Sequence, residues 1–118
     1  MVEKKSTIRQ MIYSVQSEIA DGELLPDRAA ELLTQLSALI GNINDEIRKR
    51  DVEYSHILLK WLETEEKANR AKIKAECSPE YLVKREARDT KELALELIRS
   101  LKYFLRSKEE EFRVSKNL

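Results

Sequence analysis

Apolar residues recur at spacings of three and four through nearly the whole chain, which is the signature of amphipathic helices rather than alternating strands. Ile8, Met11, Ile12, Val15 and Ile19 form a first stripe. It predicts a helix over 7–20, capped by Ser6 or Thr7 and closed at Asp21-Gly22, where Gly22 suits the left-handed backbone of a helix end. From Asp27, placed to cap the next helix, a heptad pattern begins. Its a positions are Leu33, Ile40, Ile47, Tyr54, Trp61, Ala68 and Ala75; its d positions are Leu36, Ile43, Arg50, Ile57, Thr64 and Ala71. This predicts a helix over 27–77, with Gly41-Asn42 as the place where it would kink or divide. Ser78-Pro79-Glu80 supplies a cap, a proline for the first helical position and an acid for the first turn, and predicts a third helix over 79–115.

Proline at position 79 disfavours helical geometry at Ser78, so the long helix should stop at Cys77 and the chain reverse there. The fold expected is all-α: a short N-terminal helix and a long antiparallel coiled-coil hairpin, in a single helical domain over 1–118. Folding about Ser78 sets Ala68, Ala71 and Ala75 against Tyr81, Val83 and Ala87 near the turn. The same register sets the bulky run Tyr54, Ile57, Leu58, Trp61 and Leu62 against Leu93 through Leu105. Two helices side by side bury one stripe each, whereas residues 93–105 are apolar over more than half of the circumference. Self-association into a helical bundle would cover the remainder. The expected assembly surface is Tyr54, Leu58, Trp61, Leu62, Leu95, Ile98, Tyr103 and Leu105.

Composition agrees with long helices. Among 118 residues, 37% are charged and only 2 are Gly and 2 Pro, too few turn formers for a strand-rich fold. The formal charge is zero but unevenly placed: residues 1–66 carry 8 Lys/Arg and 13 Asp/Glu, a balance of −5, and residues 67–118 carry 14 and 9, a balance of +5. That asymmetry would suit antiparallel self-association or an anionic partner for the basic half, although a solvated face laced with i,i+4 pairs is the better account of it. Cys77 is the only cysteine, which excludes an internal disulfide and fits a reducing compartment. No apolar run approaches the roughly 20 residues needed to cross a bilayer. A cytoplasmic protein with no membrane association is expected.

Candidate chemistry is sparse. Glu53-Tyr54-Ser55-His56 contains the Glu-x-x-His step of di-iron bundles, but Tyr54 and Ile57 take the seam and turn Glu53 and His56 outward. Cys77 has no neighbouring base, and two isolated glycines cannot form a phosphate-cradling loop. No catalytic residue, metal or cofactor is expected, and the chain reads as non-enzymatic. A basic cluster gathers around the hairpin tip, with Lys67, Arg70, Lys74, Lys84, Arg85 and Arg88 as candidate phosphate contacts. Interleaved acids and a single aromatic, Tyr81, argue against it as a nucleic-acid site.

The run Lys72-Ile73-Lys74-Ala75-Glu76-Cys77-Ser78-Pro79-Glu80-Tyr81, with Lys84-Arg85-Glu86-Ala87 and Leu101-Lys102-Tyr103-Phe104-Leu105-Arg106, resembles a pattern in small helical bacteriophage and prophage proteins. The resemblance spans residues 72–116 and implies a phage or prophage origin, a place in the host cytoplasm and an accessory role. Some such proteins are encoded near replication or recombination genes. It transfers no functional residue. Two function readings follow: a structural or adaptor protein acting through coiled-coil self-association and a protein partner, and a nucleic-acid accessory factor using the basic tip.

Overall fold

Four helices make up the regular structure in the computed structural model, which describes residues 2–117 and the side chains of 8–116. They are α1 (Val2–Ala20), α2 (Pro26–Thr64), α3 (Ala68–Glu76) and α4 (Pro79–Asn117). The fold is all-α, as the periodicity predicts. Helix α1 begins ahead of Ser6 and Thr7, so neither residue starts it; their side chains lie outside the described residues. It ends as expected, with Gly22 at φ 75° and its N–H donating to the Ile19 carbonyl at 3.3 Å. Helix α2 starts one residue earlier than predicted. The Ala29 N–H donates to the Leu25 carbonyl at 2.9 Å, which puts Pro26 at the first helical position. Asp27 therefore sits in the first turn, where its charge suits the helix dipole.

Helix α2 continues through Gly41-Asn42 without a break. Gly41 is exposed, and a Cβ built there meets nothing within 4 Å. Gly41→Ala is therefore expected to stabilise the protein by about 1 kcal/mol through helix propensity, read as a higher midpoint in thermal melts followed by circular dichroism.

The chain divides into two compact units. One comprises α1, the part of α2 up to Ile40, and α4 from Glu92 onward. Its buried residues are Ile12 and Val15 of α1, Ala29, Leu32 and Leu36 of α2, and Ala94, Leu97, Ile98 and Leu101 of α4. The alanines let the backbones approach, and the leucines fill the space between. Arg28 bridges α2 to α1, donating to both carboxylate oxygens of Glu18 at 2.8 and 2.9 Å. The hydrogen bond from Arg28, helped by its charge, holds the Glu18 carboxyl below its usual range against the opposing effect of desolvation. Three helical segments thus share this core. The apolar run over 93–105, expected to need a second chain, has part of its cover inside its own unit: Ile98 is only 8% exposed.

The other unit, Gly41–Lys91, holds the second part of α2, all of α3 and the start of α4. It is the antiparallel hairpin, but its apex is displaced from the predicted position. Lys74 reaches back to the Glu65 carboxylate and lies 4.8 Å from the Trp61 ring centroid. Tyr81 and Lys84 meet Tyr54 at 5.4 and 4.3 Å, and Arg88 pairs with Asp51 at 2.7 Å. Moving toward the N-terminus along α2, partners climb through α3 and into α4 in one register. The reversal therefore lies at Glu65–Lys67, and the serine–proline step falls within the returning arm. The predicted facing of Tyr54–Leu62 with Leu93–Leu105 is replaced by a facing with residues 74–84.

Local chemistry accounts for the displaced apex. Glu63, Glu65 and Glu66 crowd the C-terminal end of α2, where the helix dipole is negative and no basic residue is present in the last turn. Thr64 turns its hydroxyl back onto the Trp61 carbonyl at 3.2 Å, and Lys67 takes an extended backbone. At the serine–proline step hydrogen bonding continues across the joint. The Ser78 N–H donates to the Ala75 carbonyl at 3.1 Å, and Ser78 Oγ accepts from the Tyr81 N–H at 3.2 Å as the predicted cap.

Candidate interaction surface

Within the hairpin unit, the inward face of α2 is layered with aromatic rings and cations. Tyr54, buried, stands tilted at 46° to Tyr81, with Lys84 over its own ring and Arg85 6.0 Å from the Tyr81 centroid. Burial first, then the negative charge of Glu76, pushes the Tyr54 hydroxyl above its ordinary pKa. Arg50, at a d position of the heptad frame, is 17% exposed and held by Glu46 and Glu53 at 2.7 and 2.8 Å. Burial works against its charge, but the hydrogen bonds to Glu53 and Glu46 prevail and raise its pKa. Its cation is satisfied by its own helix.

These contacts engage most of the predicted phosphate-binding set. Lys74, Lys84 and Arg85 lie over rings, Lys74 also pairs with Glu65, and Arg88 pairs with Asp51. Lys67 and Arg70 are exposed. Half of the basic tip, Lys74, Lys84 and Arg85, thus lies against aromatic rings of the hairpin unit. His56 and Cys77 are exposed, and among the described residues no group of three or more His, Cys, Asp or Glu converges as a metal site would require. No helix among the described residues is long and apolar enough to cross a membrane.

The residues expected on an assembly surface separate by burial. Tyr54 and Ile98 are buried in their respective units, Leu58, Trp61, Leu95 and Leu105 are half-buried, and Leu62 and Tyr103 are exposed. The structure adds two residues that the heptad frame passed over. Val52 and Leu59 are 52% and 57% exposed, and Leu62 is 43% exposed. Val52 and Leu59, seven apart, lie on the face of α2 opposite Tyr54 and Trp61, and Leu62, three residues on, lies on the flank beside them. Half-buried Leu58 borders them. Leucines and a valine on the solvent side of a charged helix form a second seam that nothing in the hairpin unit covers. Their spacing was the available signal, obscured because the inward stripe is stronger and sets the heptad frame.

No family model, curated protein or solved structure matches this chain.

Proposed function

We propose that this chain is a non-enzymatic helical structural or adaptor protein that works by coiled-coil self-association, with the outer face of α2 as its contact surface. The observation that carries the reading is the exposed row of Val52, Leu59 and Leu62 on a helix whose opposite face is already occupied. An apolar row at helical spacing is suited to receive another helix. The engaged state of Lys74, Lys84, Arg85 and Arg88 supports this reading over phosphate binding, because recruiting those cations to nucleic acid would strip them from rings and carboxylates.

Light scattering coupled to size exclusion checks the proposal. The wild-type chain is expected to run as an oligomer at micromolar concentration. Leu59→Asp is expected to make it monomeric while leaving helicity unchanged, since Leu59 is exposed in the single chain. A wild-type chain that stays monomeric, or an oligomer indifferent to Leu59→Asp, would remove the reading.

A further inference from the structure

The occupant of the outer α2 seam, and its direction, can be argued from the charges that flank it. Val52, Ser55, Leu59 and Leu62 follow one another at spacings of three, four and three, which is nearly three turns of a coiled-coil stripe. Lys49 borders the stripe at its N-terminal end and Glu63 borders the same edge at its C-terminal end, and both are exposed. The basic end and the acidic end lie on one helix, so the seam is complementary to its own reverse.

Resting on the self-association proposed above, we infer that the seam is an isologous contact with a second copy of this chain, the two α2 helices running antiparallel about a two-fold axis near Ser55–Leu59. In that arrangement Val52 faces Leu62 of the second copy and Ser55 faces Leu59 of the second copy. Each position on the edge is used twice, as two-fold symmetry demands. Lys49 meets Glu63 of the second copy at both ends of the seam. The two Leu58 side chains meet across the other edge and extend the apolar strip, while the two His56 side chains face each other midway along the first. Farther out on the Leu58 edge the opposed pair is acidic, Asp51 with Glu65 of the second copy. Each of those carboxylates is already held by its own chain, Asp51 by Arg88 and Glu65 by Lys74, so their repulsion is blunted. A parallel pairing would set the edge that carries Lys49 and Glu63 against the Leu58 edge of the second copy and would form neither Lys49–Glu63 pair. The charge pattern selects against it.

Charge reversal tests direction separately from association. Lys49→Glu puts glutamate against Glu63 at both ends and is expected to raise the dimer dissociation constant about tenfold at low salt, an effect that shrinks as salt is added. Glu63→Lys alone is expected to do the same. The double variant Lys49→Glu/Glu63→Lys restores both pairs with their signs exchanged and is expected to recover wild-type affinity. All three variants alter exposed residues, and folding of the single chain, including the helix end that Glu63 crowds, is checked by circular dichroism. Cysteines give a second readout in a Cys77→Ser background. A Lys49→Cys chain mixed with a Glu63→Cys chain is expected to form the mixed disulfide in preference to either symmetric one.

The outcomes separate the two claims. If Leu59→Asp abolishes the dimer but the charge variants leave it unmoved, or if Lys49→Cys chains link to themselves, the antiparallel seam is overturned and self-association stands. If the wild-type chain is monomeric throughout, both fall.

Discussion

Replacing Tyr54 with alanine is expected to destabilise the protein by about 3 kcal/mol, near the cost of deleting a buried aromatic ring. Tyr54 is 7% exposed and is the meeting point of the hairpin unit: Tyr81 stacks beside it and Lys84 caps its face. Truncation removes the ring from both contacts and leaves a cavity between α2 and α4. Urea denaturation followed by helical signal measures the loss. Tyr54→Phe separates ring from hydroxyl, because it keeps the packing and the cation contact. It is expected to retain nearly all of the stability, and a loss as large as that of alanine would mean that the hydroxyl, not the ring, holds the unit.

Leu36→Ala is expected to cost about 2–5 kcal/mol, and it probes the other unit. Leu36 is completely buried, and Leu32, Ile12 and Leu101 are buried with it in the core shared by α1, α2 and α4. The size of the effect within this range depends on how far the neighbours can collapse into the space. Leu36→Met conserves volume and is expected to cost less than about 1.5 kcal/mol. The contrast, read from denaturation midpoints of the two variants, distinguishes a close-packed three-segment core from a loose two-helix contact. Equal small losses for both substitutions would argue that α1 does not complete the core.

Local structure was legible in the sequence where a single residue dictates it. Gly22 takes the left-handed backbone at the end of α1, Ser78 caps α4 through its hydroxyl, and Pro79 occupies the first helical position. The helical class follows from periodicity alone. What could not be read was register. The chain turns at Glu65–Lys67, which contains neither glycine nor proline, and the strongest punctuation in the sequence turned out to mark a joint inside one arm. The break at Thr64 comes from accumulated acidic charge and a back-bonded threonine, weak effects that decide a boundary only in combination. The displacement also changed which surface is free. The heptad frame places Leu58, Trp61 and Leu62 at an interface; Val52 and Leu59 lie outside that frame, on a face left free because Tyr54 turns the other way, to Tyr81 and Lys84.

The returning arm is made of two unequal pieces, and the shorter has little to sustain it. Helix α3 has 9 residues, below the length at which a helix holds itself in water. Its attachment rests on two small methyl groups, Ala71 and Ala75, and on one lysine reaching across the apex to Trp61 and Glu65. Such an anchorage gives way long before the rest of the molecule does. The apex is consequently the natural place for a protease to nick this chain, or for a longer insert to be accommodated.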